Sequence, residues 1–355
     1  MCHADRSIKP FRRVMILSLA TVMDKIRETA AVAVIVVNWN AGGHLARCLG
    51  SIHAQAMRPK RVILVDNASS DGSADGVETR FPGVEVVRLG YNAGFAAANN
   101  IAAKMAADCE WIALLNPDAF AEPDWLERLV TAARENPAYS FFGSRTLNAA
   151  DPRLLDGAGD VYHASGLAWR RGSGTPVEAF DPPTGEVFSP CAAAAMYKTA
   201  DFLAAGGFDE AHFCYLEDVD LAFRLRLTGG RCLYVRESTA LHVGSGATSR
   251  HSYFAIYHGH RNLVWTFFKN LPVSLIFLYL PQHLIMNIAS VIHFTVRGHG
   301  RAILKAKLDA IKGLSAVLEK RKAVQRMRIV TAKEIRRVVT VGFLTPFLAS
   351  RRNKL

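Results

Sequence analysis

The chain has 355 residues, half of them hydrophobic, and carries 43 lysines and arginines against 31 acids, for a net charge of +12. That length gives one large domain or two smaller ones, with ample material for a core. Six cysteines (Cys2, Cys48, Cys109, Cys191, Cys214, Cys232) lie scattered without a Cys-x-x-Cys pair or a zinc-like histidine spacing, which predicts reduced thiols in the cytosol.

Residues 1–30 hold Arg12-Arg13 ahead of a short apolar run, Val14–Met23, with no small-residue cleavage site and too little length to cross a bilayer. They read as a disordered leader or as an ambiguous start, with Met23 as an alternative first residue. From Val32, short β-branched runs alternate with helical patterns, the signature of βαβ units and an α/β fold with a mostly parallel sheet. The predicted elements are strand Val32–Val37, helix Leu45–Ala56, strand Arg61–Val65, helix Gly72–Phe81, strand Val84–Leu89 and helix Gly94–Ala107. Strand Trp111–Leu115, helix Pro123–Asn136 and strand Tyr139–Gly143 follow. Residues 148–190, rich in Gly, Pro and Asp, predict a loop-heavy insertion. Order returns with strand Ala192–Tyr197, a helix near Thr199–Ala205, a helix over Asp218–Thr228 and a strand over Arg231–Val235.

The last part of the chain carries the charge. Residues 297–355 hold 16 Lys and Arg against three acids, while the first 296 residues have a net charge of −1. The uncharged stretch Leu271–Val296 precedes this basic segment. It is long enough to span a bilayer but is interrupted by Pro272, Pro281, Gln282, His283, Asn287 and His293, so interfacial or re-entrant helices compete with a true span and a buried core. Leu304, Leu308, Ile311, Leu314 and Leu318 then recur at helical spacing among lysines. This basic amphipathic helix is read either as a membrane-binding element or as a solvated helix packed on the domain. An apolar stretch followed by cationic residues points to the cytoplasmic face of an anionic membrane, with peripheral or interfacial anchoring, and not to nucleic acid.

Each early strand ends in short polar residues: Asn38-Trp39-Asn40, Asp66-Asn67, Asn92-Ala93-Gly94, and Asn116-Pro117-Asp118. Four such ends converging on the carboxyl edge of a parallel sheet make a floor for a nucleoside: acceptors for ribose and base, with small residues for close backbone approach. Taken singly, each is equally a turn or a helix cap. A carboxylate ending a buried strand, Asp118, would hold a hard divalent cation beside a diphosphate. A second acidic cluster, Glu217-Asp218-Val219-Asp220, opens a helix and offers a candidate base. Asp220 reads as a cap or as the i, i+4 partner of Arg224.

The chain resembles the family 2 glycosyltransferases. The residues that carry the resemblance are Val34–Asn40, Val65–Gly72, Asn92–Ala96 with Asn99-Asn100, Leu115–Asp118, Gly207–Glu210 and Tyr215–Leu221 with Arg224. They run in order over roughly residues 31–262 and are closest to the rhamnosyltransferase-like branch that builds bacterial surface polysaccharides. The resemblance implies a GT-A fold over 31–262, followed by a helical membrane-associating tail over 263–355. It implies inverting transfer from a nucleotide-diphosphate sugar to a lipid-linked or polysaccharide acceptor. Asp118 matches the last acid of the family's Asp-x-Asp metal motif, with Asn116 in place of the first, and magnesium or manganese is the implied cofactor. Asp218 matches the general base, and Glu217 an acceptor-orienting acid. His242 falls where several members place a metal- or diphosphate-facing histidine, and Arg261-Asn262 resembles a pair near the diphosphate or acceptor. Asn38, Asn40, Asp66, Asn67, Asn92, Gly94, Asn99 and Asn116 would contact the nucleotide sugar.

Other classes fit less well. A nucleotidyltransferase would carry a Gly-rich basic loop after its first strand, but no Lys or Arg follows Asn38 before Arg47; an oxidoreductase would need Gly-x-Gly-x-x-Gly there. A silent nucleotide-sugar-binding scaffold would have no need to retain Asp118 and Asp218 together.

Overall fold

The computed structural model describes residues 30–244, 252–342 and 345–346; apart from Ala30, the expected leader, including Met23, lies outside the described residues. Four strands arise where the sequence places β-branched runs: β1 (Ala30–Asn38), β2 (Pro59–Asp66), β3 (Val84–Arg88) and β4 (Trp111–Leu115). They pair in parallel, β1 between β2 and β4, with β3 outside β2. Beyond them come β5 (Ala119–Ala121), β6 (Phe141–Asn148), β7 (Leu155–Gly157), β8 (Asp160–Tyr162), β9 (Ala168–Arg170), β10 (Gly185–Val187), β11 (Ala194–Lys198) and β12 (Cys232–His242). The sheet order is β10-β12-β6-β11-β4-β1-β2-β3, and β11 runs antiparallel to both its neighbours. The insertion over 148–190 is not structureless, since it contributes β7 to β10.

The helices are α1 (Gly43–His53), α2 (Val77–Arg80), α3 (Gly94–Met105), α4 (Trp125–Glu135), α5 (Thr199–Ala204) and α6 (Glu217–Leu227). Alternate residues of β1 serve opposite faces. Val32, Val34 and Val36 pack with Leu45, Leu49 and Ile52 of α1 and Trp125 and Leu129 of α4. Ala33, Ile35 and Val37 pack with Ala98, Ala102 and Ala103 of α3 and Leu221 of α6. Both faces are covered, which is why the strand is apolar at every position and does not alternate. The helix expected over Gly72–Phe81 shrinks to α2. Gly72 and Gly76 have φ of 73° and 63°, and the Asp71 carboxylate takes the Ser73 N–H, so a local turn displaces the first helical turns.

The C-terminal helices are α7 (Tyr253–Asn270), α8 (Val273–Val296), α9 (Gly300–Lys312), α10 (Leu314–Arg326) and α11 (Ala332–Val338). The stretch interrupted by Pro281 is one helix, and residue 262 lies inside the continuous α7. Helices α7, α8, α10 and α11 share a core with α6: Val219, Phe223 and Leu227 pack with Phe267, Leu271, Leu275, Tyr279, Val324 and Ile335. Arg321 of α10 donates to the carbonyls of Phe268 and Leu271 at 2.8 and 2.6 Å, closing the end of α7.

The same junction contains a buried ion network. Asp220, fully buried, accepts from Arg224 at 2.9 Å, from Lys269 at 2.8 Å and from Asn270 at 2.7 Å; Lys269 also reaches Asp209 at 2.5 Å. Burial opposes ionisation of both acids, but the facing Lys269, joined by Arg224 at Asp220 and His212 at Asp209, outweighs it and holds both carboxyls well below their usual range. Replacing Lys269 by Met leaves two buried carboxylates short of a cation and should cost about 3–5 kcal/mol in urea unfolding at pH 7. Because the folded pKa values are depressed, the parent's stabilisation is full above the unfolded carboxyl value of about 4 and is lost as pH falls below it. A Lys269→Met protein with parental stability at pH 7 would show that the network is energetically idle.

Candidate active site

Strand order reverses at β1, with β2 and β3 on one side and β4 and β11 on the other. Ligands bind open α/β sheets where such a reversal parts the loops at the carboxyl ends of the strands. A cleft of about 840 Å³ is lined by residues following all four parallel strands: Trp39 and Asn40, Asn67, Asn92 and Gly94, and Asn116 and Asp118. Asn67 donates to Asn92 Oδ1 at 2.9 Å and accepts from the Ala93 N–H at 2.8 Å, so two of these loops are locked together. Gly94 has φ +85°, and a Cβ there would stand 2.6 Å from the Phe213 ring; only glycine lets α3 start so close to the segment before α6.

Asp118 and His242, distant in the chain, meet because β5 pairs with the end of β12, Ala119 opposite His242. His242 Nε2 lies 3.4 Å from Asp118 Oδ1, and its Nδ1 lies 2.8 Å from Asp156 Oδ2. Asp156, buried in β7, is itself held by Arg170 of β9. Burial pulls the imidazole's pKa down, yet the bonds to Asp118 and Asp156 outweigh it and hold the pKa above the ordinary value. A carboxylate behind one ring nitrogen, with the other nitrogen facing a second carboxylate, is how proteins orient a metal-binding histidine.

Another wall carries Glu217 and Asp218, in the first turn of α6. Asp218 accepts from the Val219 N–H at 2.8 Å and the Ala192 N–H at 3.1 Å, which fixes the carboxylate. Asp160 of β8 and Cys191 stand beside it, their ligand atoms within 4.8 Å of one another. Burial raises the Asp218 pKa against those N–H donors and Arg170; Asp160 is raised too, by burial and then by Asp218. Glu217 is pushed well up by burial and by Asp218, and its Oε2 has no hydrogen-bond partner among the described residues. A buried acid left in this state can satisfy itself on a ligand hydroxyl. Just upstream, Phe213, Tyr215 and Leu216 take φ of 64°, 70° and 65°; Leu216 is left-handed, which costs a non-glycine residue about 1–2 kcal/mol, and Phe213, with ψ of −60° and the Cys214 N–H on the His212 carbonyl at 2.7 Å, forms a γ-turn of the rare, strained kind. Strain of this kind gathers where a site must be preorganised.

Of the residues singled out in the sequence, Asn40, Asn67, Asn92, Gly94, Asn116, Asp118, Glu217, Asp218 and His242 line the cleft. Asn38, Asp66, Asn99 and Arg261 do not. Asn38 turns inward and donates to Asp66 at 3.0 Å and to Ser69 and Ser73 at 2.9 Å, so this pair shapes the loop after β2. Asn99 donates one turn back, to the Phe95 carbonyl at 2.9 Å, while Asn100 makes the long-range bonds to Phe208. Arg261 donates to the carbonyls of Ala211 and His212 at 2.8 and 3.1 Å. Asp156, Asp160 and Arg170, all from the insertion, were missed; no spacing in that segment marks them.

The family model for glycosyl transferase family 2 matches residues 33–199. An N-acetylglucosaminyl-diphospho-decaprenol L-rhamnosyltransferase of Mycobacterium tuberculosis is 30% identical over 263 residues, covering 65% of this chain and 82% of the relative. Rhamnosyltransferase WbbL of Escherichia coli is 27% identical over 225 residues, covering 59% of this chain and 83% of WbbL. Among solved structures, S. aureus TarS 1-349 in complex with UDP-GlcNAc superposes with a TM-score of 0.54 at 16% identity, over 87% of this chain and 92% of that one. The switch-point cleft, the acids that line it and these similarities agree: the chain belongs to glycosyl transferase family 2, as a rhamnosyltransferase-like glycosyltransferase with a GT-A fold.

Proposed function

We propose that the cleft binds a nucleotide-diphosphate sugar and that the enzyme transfers the sugar, with inversion at the anomeric carbon, to a hydroxyl of a lipid-linked or saccharide acceptor. Rhamnose is the sugar we favour, by analogy with the mycobacterial and E. coli relatives. One arrangement carries the reading: the Asp118–His242 pair and the half-buried Asp218, whose pKa burial raises, line the same cleft. Asn40, Asn67, Asn92 and Asn116 supply polar contacts for the nucleoside. Asp118 and His242 fit a divalent cation, since a carboxylate oxygen and a ring nitrogen face each other at 3.4 Å and suit manganese or magnesium completed by phosphate oxygens. When bound, that ion neutralises charge on the departing diphosphate. Asp218 takes the acceptor's proton as the acceptor oxygen bonds to the anomeric carbon; the bond to the diphosphate breaks and the nucleoside diphosphate leaves with the electron pair. A carboxylate with a raised pKa is a stronger proton acceptor than an exposed one. Glu217, whose carboxyl is pushed up by burial and by Asp218 and whose Oε2 is unpartnered among the described residues, is placed to hydrogen-bond and orient the acceptor.

The C-terminal helices support docking on the cytoplasmic face of an anionic membrane. On α8, Phe277, Ile288 and Ile292 are 74%, 61% and 59% exposed. On α9 it is Ala302, Ile303, Ala306 and Ala310 that pack inward, leaving Leu304, Leu308 and Ile311 exposed. An amphipathic helix packed on a domain buries its large residues; one that lies on a lipid surface presents them. Among the described residues, α8 is the helix long and apolar enough to cross a membrane, yet Leu275, Tyr279, His283 and Met286 are committed to the protein core. An in-plane orientation therefore fits better than a span.

Asp218→Asn should lower kcat by about 10²–10⁴-fold while the nucleoside diphosphate still binds. In the parent, the acid limb of kcat should fall above the ordinary carboxylate range, because burial raises the base's pKa and activity appears only as pH rises through it. Transfer by Asp218→Asn at the parental rate would end this assignment. A thermal-shift screen against dTDP, UDP and GDP, with and without magnesium, should find one diphosphate that stabilises only with metal, by about 2.7 kcal/mol at a hundredfold excess over Kd. Asp118→Ala should abolish the metal-dependent part, and a metal-independent shift would refute the cation site. Ile288→Asp combined with Leu308→Asp should reduce co-sedimentation with phosphatidylglycerol vesicles at least tenfold without altering diphosphate binding; undiminished binding would rule out this face.

A further inference from the structure

The strained segment before α6 is held from one side by two consecutive residues of α7. Asn262 is fully buried, and its Nδ2 lies 3.0, 3.0 and 2.8 Å from the carbonyl oxygens of His212, Cys214 and Tyr215. Arg261 Nε donates to Asn262 Oδ1 at 3.0 Å, which fixes the amide so that its N–H groups face those carbonyls. The other arm of Arg261 takes the carbonyls of Ala211 and His212. From α3 the Ala96 N–H donates to the Phe213 carbonyl at 3.2 Å, while α7 adds His258, on which the Phe213 ring stacks with centroids 5.4 Å apart. Five successive residues thus have their carbonyls claimed, four of them by this one pair of side chains. The carbonyls so held belong to the stretch in which Phe213, Tyr215 and Leu216 take positive φ. Leu216 is the residue that starts α6, so its conformation sets the direction in which Glu217 and Asp218 leave. A side chain buried at no exposure and spending its donors on a loop's backbone has no donor left for substrate.

We propose that Asn262, oriented by Arg261, is a positioning residue for Asp218: it holds the strained segment 213–216, with its three positive-φ residues, in the conformation that delivers the carboxylate to the cleft. The inference rests on the reading of Asp218 as the base. It also separates two roles for Arg261 and Asn262. A diphosphate contact would act on donor affinity, whereas a clamp acts on turnover.

The test compares Asn262→Ala and the milder Arg261→Met with the parent, measuring kcat, donor KM, calorimetric affinity for the nucleoside diphosphate, and hydrogen–deuterium exchange over residues 211–218. The clamp predicts a kcat about 10–100-fold lower in Asn262→Ala, since misplacement of about 1 Å costs that much. It further predicts a smaller fall in Arg261→Met, diphosphate affinity within about twofold of the parent in both, and faster exchange confined to 211–218. Unchanged kcat in folded protein, or diphosphate affinity falling in step with kcat, would overturn it. If Asn262→Ala does not fold, Arg261→Met alone decides by the same split. If the parent transfers no sugar to the acceptors tried, the functional reading fails, and the exchange data still judge the clamp: parental exchange over 211–218 in both variants refutes it.

Discussion

The placement of α6 depends on Asp220, a carboxylate with no exposure at all. Removing such a group from water costs several kcal/mol, and only near-complete pairing offsets it. Here Arg224, Lys269 and Asn270 supply the pairing, and two of the three come from α7. Helix α6 and the first C-terminal helix are therefore one electrostatic unit. That dependence changes what the end of the chain is. Read as composition, it is a basic tail behind an enzyme; in the fold, its first helix pairs with the buried acid of α6, and α8, α10 and α11 complete the core around Phe223 and Phe267.

The early strands were legible because a strand covered on both faces must be apolar throughout, and Val32–Val37, Arg61–Val65 and Trp111–Leu115 have few other uses. The polar strand ends were legible as a group, but which of them line the cleft was not. Asn38 and Asp66 stand at the right edge and bond to each other, a matter of side-chain rotamers that no spacing encodes. Asp156 and Arg170 lie in a segment whose short strands form through long-range pairing, so local pattern carries no trace of their approach to His242. The stripe Leu304, Leu308, Ile311 was visible as periodicity; that its partner surface is not this protein's core became visible only when Ala302 and Ala306 were found filling the core side.

The two sides of the site are held by different means. Asp118 and His242 are fixed by strand pairing and by an acid behind the imidazole, rigid elements suited to a constant ligand such as a diphosphate. Asp218 hangs from a turn that would relax if it were not clamped. Orientation matters most there if the side chain is to act as the base proposed above, since small errors in the geometry of proton transfer are expensive.

Helix α7 joins these requirements through its periodicity. Ile256, His260 and Leu263, spaced by four and three, face the cleft. Asn262, Thr266 and Lys269, displaced around the axis, face the segment and acids that set α6: Asn262 takes its carbonyls, Thr266 bonds His212 at 3.2 Å, and Lys269 pairs with Asp209 and Asp220. Trp265 points elsewhere again and donates to the Ala310 carbonyl of α9 at 3.0 Å, on the helix whose leucines remain exposed. One rigid rod thus touches the cleft, the segment that carries Asp218 and the surface proposed to meet lipid. A helix under three sets of constraints cannot show a single clean hydrophobic stripe, and α7 does not: its buried residues include Asn262, Thr266, Lys269 and Asn270 beside Leu263 and Phe267. The irregular pattern that makes this helix hard to read from its sequence follows from the number of partners it serves.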